Sequence, residues 1–423
     1  MTEPDARSRD VLEQVPEGVR DALGLRRARE LTGGGTPARV YRCEDGDGDA
    51  VVVKVLRAGA GAVDGHDLGS FLRKPAQIAR IHRELPALSP YYVPLVGHWQ
   101  GPDWGAYAMP WIDGASPVTL LRDGDPGRQR FLAALRSVFG ILGTHGYSAS
   151  SVPAPPGHGL GTHAGRLARR LPLLTEHLGP LTDGTDLRVN GRPVPSAHEL
   201  LRRTAAREDV LAALQPPRLY FPVHGDLNLG NLMLRAADAP GSRHGLDPDR
   251  QFTVVDPRGI DEHWDPVYDA AKALFSLTLF DAAMTGGFEI GRDATGGYDV
   301  RLRRPVPAHS AAAAEVPATL ATVGFFRRLG HGDPLWLRRL LYAHAFHVLA
   351  EAACRLSDRT VRTFPGATGP AARRELALGL HLSGLLLLDD LLSGPAEPEA
   401  DPAAHLACLA TVHGPATACP LPG

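Results

Sequence analysis

Strand signals and helix signals occupy different parts of this chain, and that segregation restricts the fold more than any other feature. After a short amphipathic helix in VLEQVPEGVRDALGL come RARELT, a glycine run, ARVYRCE, a DGDGD turn and AVVVKVL, the pattern of an antiparallel meander. FLRKPAQIARIHRELPAL has helical spacing, with Pro75 assigned to the first turn, and YVPLVGHWQ and AYAMPWI read as two more strands. From Ser116 onward helical patterns dominate, as in RQRFLAALRSVFGILGTHGY, THAGRLARRLPLLTEHLGPL and SAHELLRRTAAREDVLAAL. GHGLGTHAG reads as a loop, and LRVNGRPV as a hairpin on its Asn190–Gly191 turn. RLYFPVHGDLNLGNLMLRA and QFTVVDPRG supply short strands around a loop, and Asp265 to Ser393 is mostly helical. Such segregation predicts an α+β fold rather than alternating βαβ units. The expected division is a small antiparallel-sheet lobe at 1–110, a larger mainly helical lobe at 111–393, and a Pro/Ala-rich tail at 394–423 without fixed structure.

A hydrophobic fraction of 43% suits a globular protein, and a net charge of -2 gives no global attraction to nucleic acid or anionic membrane. By this reading no apolar run has the length of a membrane span, and the polar N-terminus does not read as a secretory signal, so the cytoplasm is expected. Cys43, Cys354, Cys408 and Cys419 are too scattered for a disulfide framework. His405, Cys408, His413 and Cys419 cluster near the end, but their spacing matches no common zinc pattern. The cations are lopsided: only Lys54, Lys74 and Lys272 are lysines among 45 basic residues. A lysine inside an apolar run therefore marks a place where a compact ammonium matters and a wide guanidinium does not fit.

Phosphoryl transfer needs a phosphate cradle, a cation, metal ligands and a group that positions the attacking hydroxyl. Gly33, Gly34, Gly35 and Thr36, between two predicted strands, offer backbone N–H groups at close approach. Lys54 in VVVKVL needs a partner or a ligand in its apolar surroundings, and Glu84 on the next helix is the expected partner. In HGDLNLGN, Asp226 can accept a hydrogen bond from a substrate hydroxyl, and Asn231 offers a neutral oxygen to Mg²⁺. Asp256 ends the apolar strand FTVVD, where a carboxylate can point into a site and ligate metal.

These motifs, in this order, resemble the aminoglycoside phosphotransferase and choline kinase-like superfamily, whose fold is that of a protein kinase. The likeness spans Leu31 to Ser393 in architecture, and its specific motifs are HGDLNLGN, VVDPRG and the WDPVYD segment after it. The resemblance implies Asp226 as catalytic base, Asn231 and Asp256 as Mg²⁺ ligands, and Lys54 on the α/β phosphates. It places the nucleotide base against a hinge from Met109 to Ile112, Trp111 included. His224 and Asp269 are expected to brace the catalytic loop, with Asp265 capping the next helix and Lys272 serving the same scaffold.

The activity so implied is transfer of the γ-phosphoryl of ATP or GTP to a hydroxyl of a small molecule. An antibiotic or other secondary metabolite is one acceptor class; a sugar or amino alcohol of primary metabolism is another. Asp261 and Glu262 are candidates for a cationic acceptor and Arg258 for an anionic one, and the stretch from Ser148 to Arg207 is expected to shape specificity. A nucleotide-binding pseudokinase would lack the lysine, the catalytic aspartate or the metal aspartate, and all three are present. The His-Gly-Asp form and the absence of an APE-like segment argue against a protein kinase.

Overall fold

The computed structural model describes residues 11–31, 37–59, 67–179, 187–235, 244–247, 249–358, 363–364, 367–394 and 397–413. Gly33, Gly34, Gly35 and Thr36 lie outside them.

The first lobe is a sheet of five antiparallel strands in the order β1-β2-β3-β5-β4: β1 Arg27–Glu30, β2 Arg39–Glu44, β3 Ala50–Arg57, β4 Gly97–Gln100 and β5 Trp104–Pro110. Alternation along β3 divides its side chains between two cores. Val51, Val53 and Val55 pack beneath Val15 and Val19, Val19 being on α1 (Glu17–Leu23). Val52 and Leu56 face Phe71 and Ile78 of α2 (Leu68–Glu84). Lys54 has the parity of Val52 and Leu56, so it faces the cleft. Helix α2 starts earlier than its apolar spacing suggests, because Asp67 caps it by accepting the Ser70 N–H at 2.9 Å. Pro75 therefore falls in the helix interior and not in its first turn.

The second lobe is mainly helical. Its central pair is α6 (Trp336–Ser357) and α7 (Pro370–Ser393), with α4 (His158–Leu178) and α5 (Val267–Phe275) packed against α6, while α3 (Gly124–Ile141) packs on the helix Pro307–Thr322. Helix α7 is long and apolar enough to cross a membrane, contrary to the sequence expectation, but 83% of its apolar window is buried inside this lobe. The GHGLGTHAG run enters the first turns of α4 rather than forming a loop, and Gly159 packs so tightly that a Cβ would lie 1.7 Å from the Leu214 carbonyl oxygen. Asn190 and Gly191 both have positive φ in the small hairpin predicted there. A second hairpin, Phe288–Arg292 with Tyr298–Leu302, interrupts the stretch expected to be helical.

The tail also departs from expectation up to His413. Its Leu406, Leu409 and Val412 join the second lobe's core, and Glu399 receives a two-pronged bond from Arg338 at 2.7 and 2.8 Å. Short proline-initiated helical turns let apolar residues of this composition face one way. His405 is paired with Asp390, and His413 bonds Ser310 and the Thr278 carbonyl, so those imidazoles do not converge on a metal site; Cys419 lies outside the described residues.

Candidate active site

Two loops form the floor of the cleft. The first follows β6 (Arg218–Phe221) and runs through His224 to Asn231 into β7 (Leu232–Arg235). The second follows β8 (Phe252–Val254), which pairs antiparallel with β7, and runs through Asp256 to Ile260. The loops are stitched together by His224 Nε2 to the Val255 carbonyl at 3.0 Å, Arg258 N–H to the His224 carbonyl at 2.9 Å, and Val255 N–H to the Asn231 carbonyl at 2.9 Å. The His224 Nδ1 accepts the Asp226 N–H, so the Nε2 carries the proton. Burial pushes this imidazole down to about 4 and keeps it neutral.

Asp269, fully buried on α5, lies beneath the first loop and accepts the His224 N–H at 2.9 Å, the Gly225 N–H at 2.7 Å and the Tyr147 hydroxyl at 2.9 Å. Burial raises its carboxyl to about 7 despite these donors. Gly225 has φ of 77°, and a Cβ there would lie 2.3 Å from the Ile260 side chain, so only glycine lets the loops approach. Asp265 receives the Val267 N–H at 3.0 Å near the start of α5, and its other oxygen takes the buried Arg339 at 2.6 Å. A further brace was not signalled by any motif. Gln77 of α2, completely buried, donates to the Val223 carbonyl and accepts the Gly259 and Ile260 N–H groups, tying the helix to both loops.

Lys54, Asp226, Asn231 and Asp256 line one cavity of about 510 Å³. Asp256 adopts a left-handed conformation, φ 56°, unusual outside glycine, and its carboxylate enters the cleft. There it meets Lys54 at 2.9 Å, Lys74 of α2 at 2.7 Å and the Tyr107 hydroxyl at 2.7 Å. Burial would raise its pKa, but the two ammoniums hold it far below the usual range. Burial also lowers the Lys54 pKa, against the pull of Asp256. The partner of Lys54 is thus Asp256 and not Glu84, which lies at the exposed end of α2 with Arg80 and Arg83.

Asp226 is half-buried, and although desolvation would raise its pKa, Lys272 of α5 approaches its Oδ1 at 3.0 Å and keeps it ionised below the ordinary carboxylate range. Lys272, expected to serve the scaffold, therefore touches the candidate base itself and reaches Glu351 of α6 at 3.6 Å. Its own pKa is raised, the two carboxylates outweighing burial. The Asn231 NH2 group donates to the Asp226 carbonyl at 2.8 Å, which leaves its amide oxygen to serve a cation. Asn231 and Asp256 together offer only oxygen donors, the set a hard divalent cation prefers.

Met109 and Trp111 are not among the described residues lining the cavity. Met109 packs with Val52 and Ile112, while the Trp111 N–H bonds the Ala50 carbonyl and its ring carries the Arg42 guanidinium. Asp261 forms a surface pair with Arg80 at 2.9 Å, and Glu262 lines a neighbouring cavity, so they do not converge on a cationic acceptor. Arg258 does line the main cavity, and the Ser148–Arg207 stretch contributes Arg166. The excursion between Asn231 and Asp256 returns to the first lobe, where Leu246 is buried and His244 meets Asp45 at 2.9 Å.

An ionised, cleft-facing aspartate beside a lysine-held aspartate and an asparagine oxygen, between a sheet lobe and a helical lobe, defines a phosphotransferase of kinase-like fold. The sequence model of the phosphotransferase enzyme family matches residues 28–301, and the chain belongs to that family. Its fold is similar to those of solved aminoglycoside phosphotransferases. The aminoglycoside-3'-phosphotransferase of type VIII is 19% identical, with 75% of this chain and 93% of that chain covered at a TM-score of 0.38. The gentamicin–APH(2")-IIa complex is 13% identical, with 94% and 99% covered at a TM-score of 0.42. APH(4)-Ia with AMP-PNP and hygromycin B is 14% identical, with 81% and 98% covered at a TM-score of 0.39. No curated protein sequence matches the chain at a significant level.

Proposed function

We propose that this chain is a Mg²⁺-dependent O-phosphotransferase that moves the γ-phosphoryl of ATP or GTP to a hydroxyl of a small molecule, such as an antibiotic or other secondary metabolite. The observation that carries the reading is the ionised Asp226 in one cavity with the Lys54–Asp256 pair and Asn231. Lys272 engages Asp226 Oδ1, so Oδ2, which takes only a long 3.4 Å bond from the Asn231 NH2 group, is the oxygen to accept a hydroxyl proton. The attacking oxygen forms its bond to phosphorus as the bond to the bridging oxygen of the nucleoside diphosphate breaks, and the hydroxyl proton passes to Asp226 Oδ2. Because the aspartate is a weak base, that proton transfers late, once the forming ester bond has acidified the hydroxyl. Lys54 and Lys74 offer positive charge to the phosphates on the sheet side of the cleft. Asn231 and Asp256 would hold Mg²⁺, which when bound neutralises phosphate charge and aligns the γ-phosphoryl.

The test is incubation of purified protein with Mg²⁺ and ATP or GTP against a broad panel of hydroxyl compounds, read by mass shift. Phosphorylation of a panel member, lost in Asp226→Ala with nucleotide affinity kept, is the expected result. An Asp226→Ala variant that transfers phosphate as fast as wild type would refute the assignment of Asp226. An inactive panel would favour a nucleotide-binding module without catalysis.

A further inference from the structure

Away from Asp256 the cavity gathers four cations alongside Asp226, Asp281 and Glu351. Arg166 of α4, Arg258 of the second loop, Lys272 and Arg355 of α6 all line it. Two of the four are answered by carboxylates: Lys272 by Asp226 and Glu351, and Arg355 by Glu351 at 2.6 Å and Asp358 at 2.9 Å. Arg166 and Arg258 make no direct carboxylate pair, although Glu351 and Asp226 stand near enough to Arg166 to favour its charge. Both donate to one neutral group, the buried Tyr268 hydroxyl, at 2.7 and 3.0 Å. Arg166 is only 5% exposed, and its Nε is buried without a hydrogen-bond partner. The guanidiniums pull the Tyr268 pKa down even though burial alone would raise it.

A buried guanidinium whose direct partner is a neutral phenol is poorly compensated, and the half-buried Arg258 on the same phenol adds to the cost with like charge beside it. An oxyanion between them removes that cost, and a guanidinium fork matches carboxylate and phosphate oxygens in shape. The same two arginines form the wall of the adjoining cavity of about 630 Å³, where Arg73 and Arg169 also stand and Glu262 is the carboxylate among the lining residues. Positive charge thus continues from the second cavity to the edge of Asp226.

Building on the phosphotransferase reading, we infer that the acceptor carries an oxyanion, a carboxylate or a phosphate, gripped by Arg166 and Arg258 beside Tyr268. Its hydroxyl then reaches Asp226 from the α4 side. A polycationic acceptor fits beside Tyr268 poorly, because there it would confront Arg166 and Arg258, which no carboxylate pairs directly.

The binding test uses protein saturated with Mg²⁺ and ADP, so that the nucleotide phosphate positions are filled. Isothermal titration with inorganic phosphate and, separately, acetate at constant ionic strength distinguishes the two oxyanions. Saturable binding of at least one is expected. Arg166→Gln and Arg258→Gln should each weaken it at least tenfold with ADP affinity unchanged, Arg258→Lys should recover part of it, and the exposed Arg136→Gln should leave it unaltered. Absence of saturable binding, or binding indifferent to both glutamines, overturns the inference. So does loss of the anion when AMP-PNP replaces ADP, because the arginines would then serve the donor's γ-phosphate. The turnover test compares hydroxy acids and sugar phosphates with the corresponding amides and free sugars. The anionic member should be favoured at least tenfold in kcat/KM, and both glutamine variants should erase the preference through KM. Preference for neutral or cationic members sinks the anion site while phosphoryl transfer stands. Anion binding without transfer to any member removes the acceptor role, while the phosphotransferase reading stands or falls on the broad hydroxyl panel.

Discussion

Asp269 offers a quantitative check on how the catalytic loop is held. Asp269→Ala strands the His224 and Gly225 N–H groups and the Tyr147 hydroxyl in a site that water does not reach. At 1–3 kcal/mol for each buried donor left unsatisfied, with the hydroxyl free to turn, the cost is about 3–5 kcal/mol. Asp269→Asn keeps one acceptor oxygen and turns an NH2 group toward the remaining donors, so about 1–3 kcal/mol is expected. The pH dependence is more discriminating. The folded carboxyl is raised to about 7 by burial, so wild type gains stability as pH falls through 7 and loses it as pH rises. Neither variant titrates there. Their deficits should therefore widen between pH 8 and pH 5, by about 2–3 kcal/mol at ~1.4 kcal/mol per pH unit below 7. Urea unfolding at both pH values measures this, and amide exchange at His224 and Gly225 reports whether the loop has loosened. A deficit that narrows toward pH 5 would mean that the three donors, and not burial, govern the carboxyl, and the reasoning fails.

Other expectations follow from the same geometry. His163 and His344, lowered to about 3, and His224 and His309, lowered to about 4, are kept neutral by burial. Their stabilising contribution is present above pH 6.5 and lost as pH falls toward 4; Asp269 and Asp281, raised to about 7, act oppositely, but four groups outweigh two. Net loss of stability from pH 6.5 to pH 4 in urea titrations is the expected result, and a net gain contradicts it. Gly225→Ala should cost at least about 1–2 kcal/mol from the positive φ alone, with added strain from Ile260, and lower the melting temperature; an unchanged value would show that the loops are less tightly apposed. Truncation after Ser393 exposes the contacts of Leu406, Leu409 and Val412 and unpairs Arg338, so a loss of about 5 kcal/mol and aggregation on heating are expected. A truncated protein of wild-type stability would show the tail to be dispensable.

The sheet lobe was legible because each strand carried its own turn signals and a period of two, which local sterics enforce. The two floor loops were legible because His224–Asn231 and Val254–Gly259 interrupt apolar segments with polar residues that need a reason to be there. Other features depended on tertiary packing that no local pattern announces. Gln77 looks like a surface glutamine on an amphipathic helix until two loops arrive to bond it. Glu84 seemed the partner of Lys54 from helix position, but α2 is anchored by Asp67 and turns Lys74, not Glu84, into the cleft. Arg166 lay among many arginines of a helix, and only the crossing of α4 with α5 brings it to Tyr268. The tail misled because alanine and proline dilute hydropathy while three aliphatic residues suffice to dock it.

The lysine composition made a narrower claim that becomes testable in the folded protein. All three lysines line the one cavity, each within 3.0 Å of Asp226 or Asp256, while arginine serves at every other basic position. Chance placement among 45 basic residues is a poor explanation, and size is a direct one. Lys272, 6% exposed, fits its ammonium between Asp226 and Glu351. A guanidinium there keeps the charge but extends past both carboxylates, so it must displace the Asp226 side chain toward the acceptor. Displacement near 1 Å of a positioning group costs on the order of 100-fold in rate. Lys272→Arg should therefore lower kcat by about that factor, with nucleotide affinity intact and folding preserved. Arg136→Lys, on the surface, should change neither. If Lys272→Arg turns over like wild type, charge alone is what the cavity requires, and the absence of arginine from these three positions loses its physical explanation.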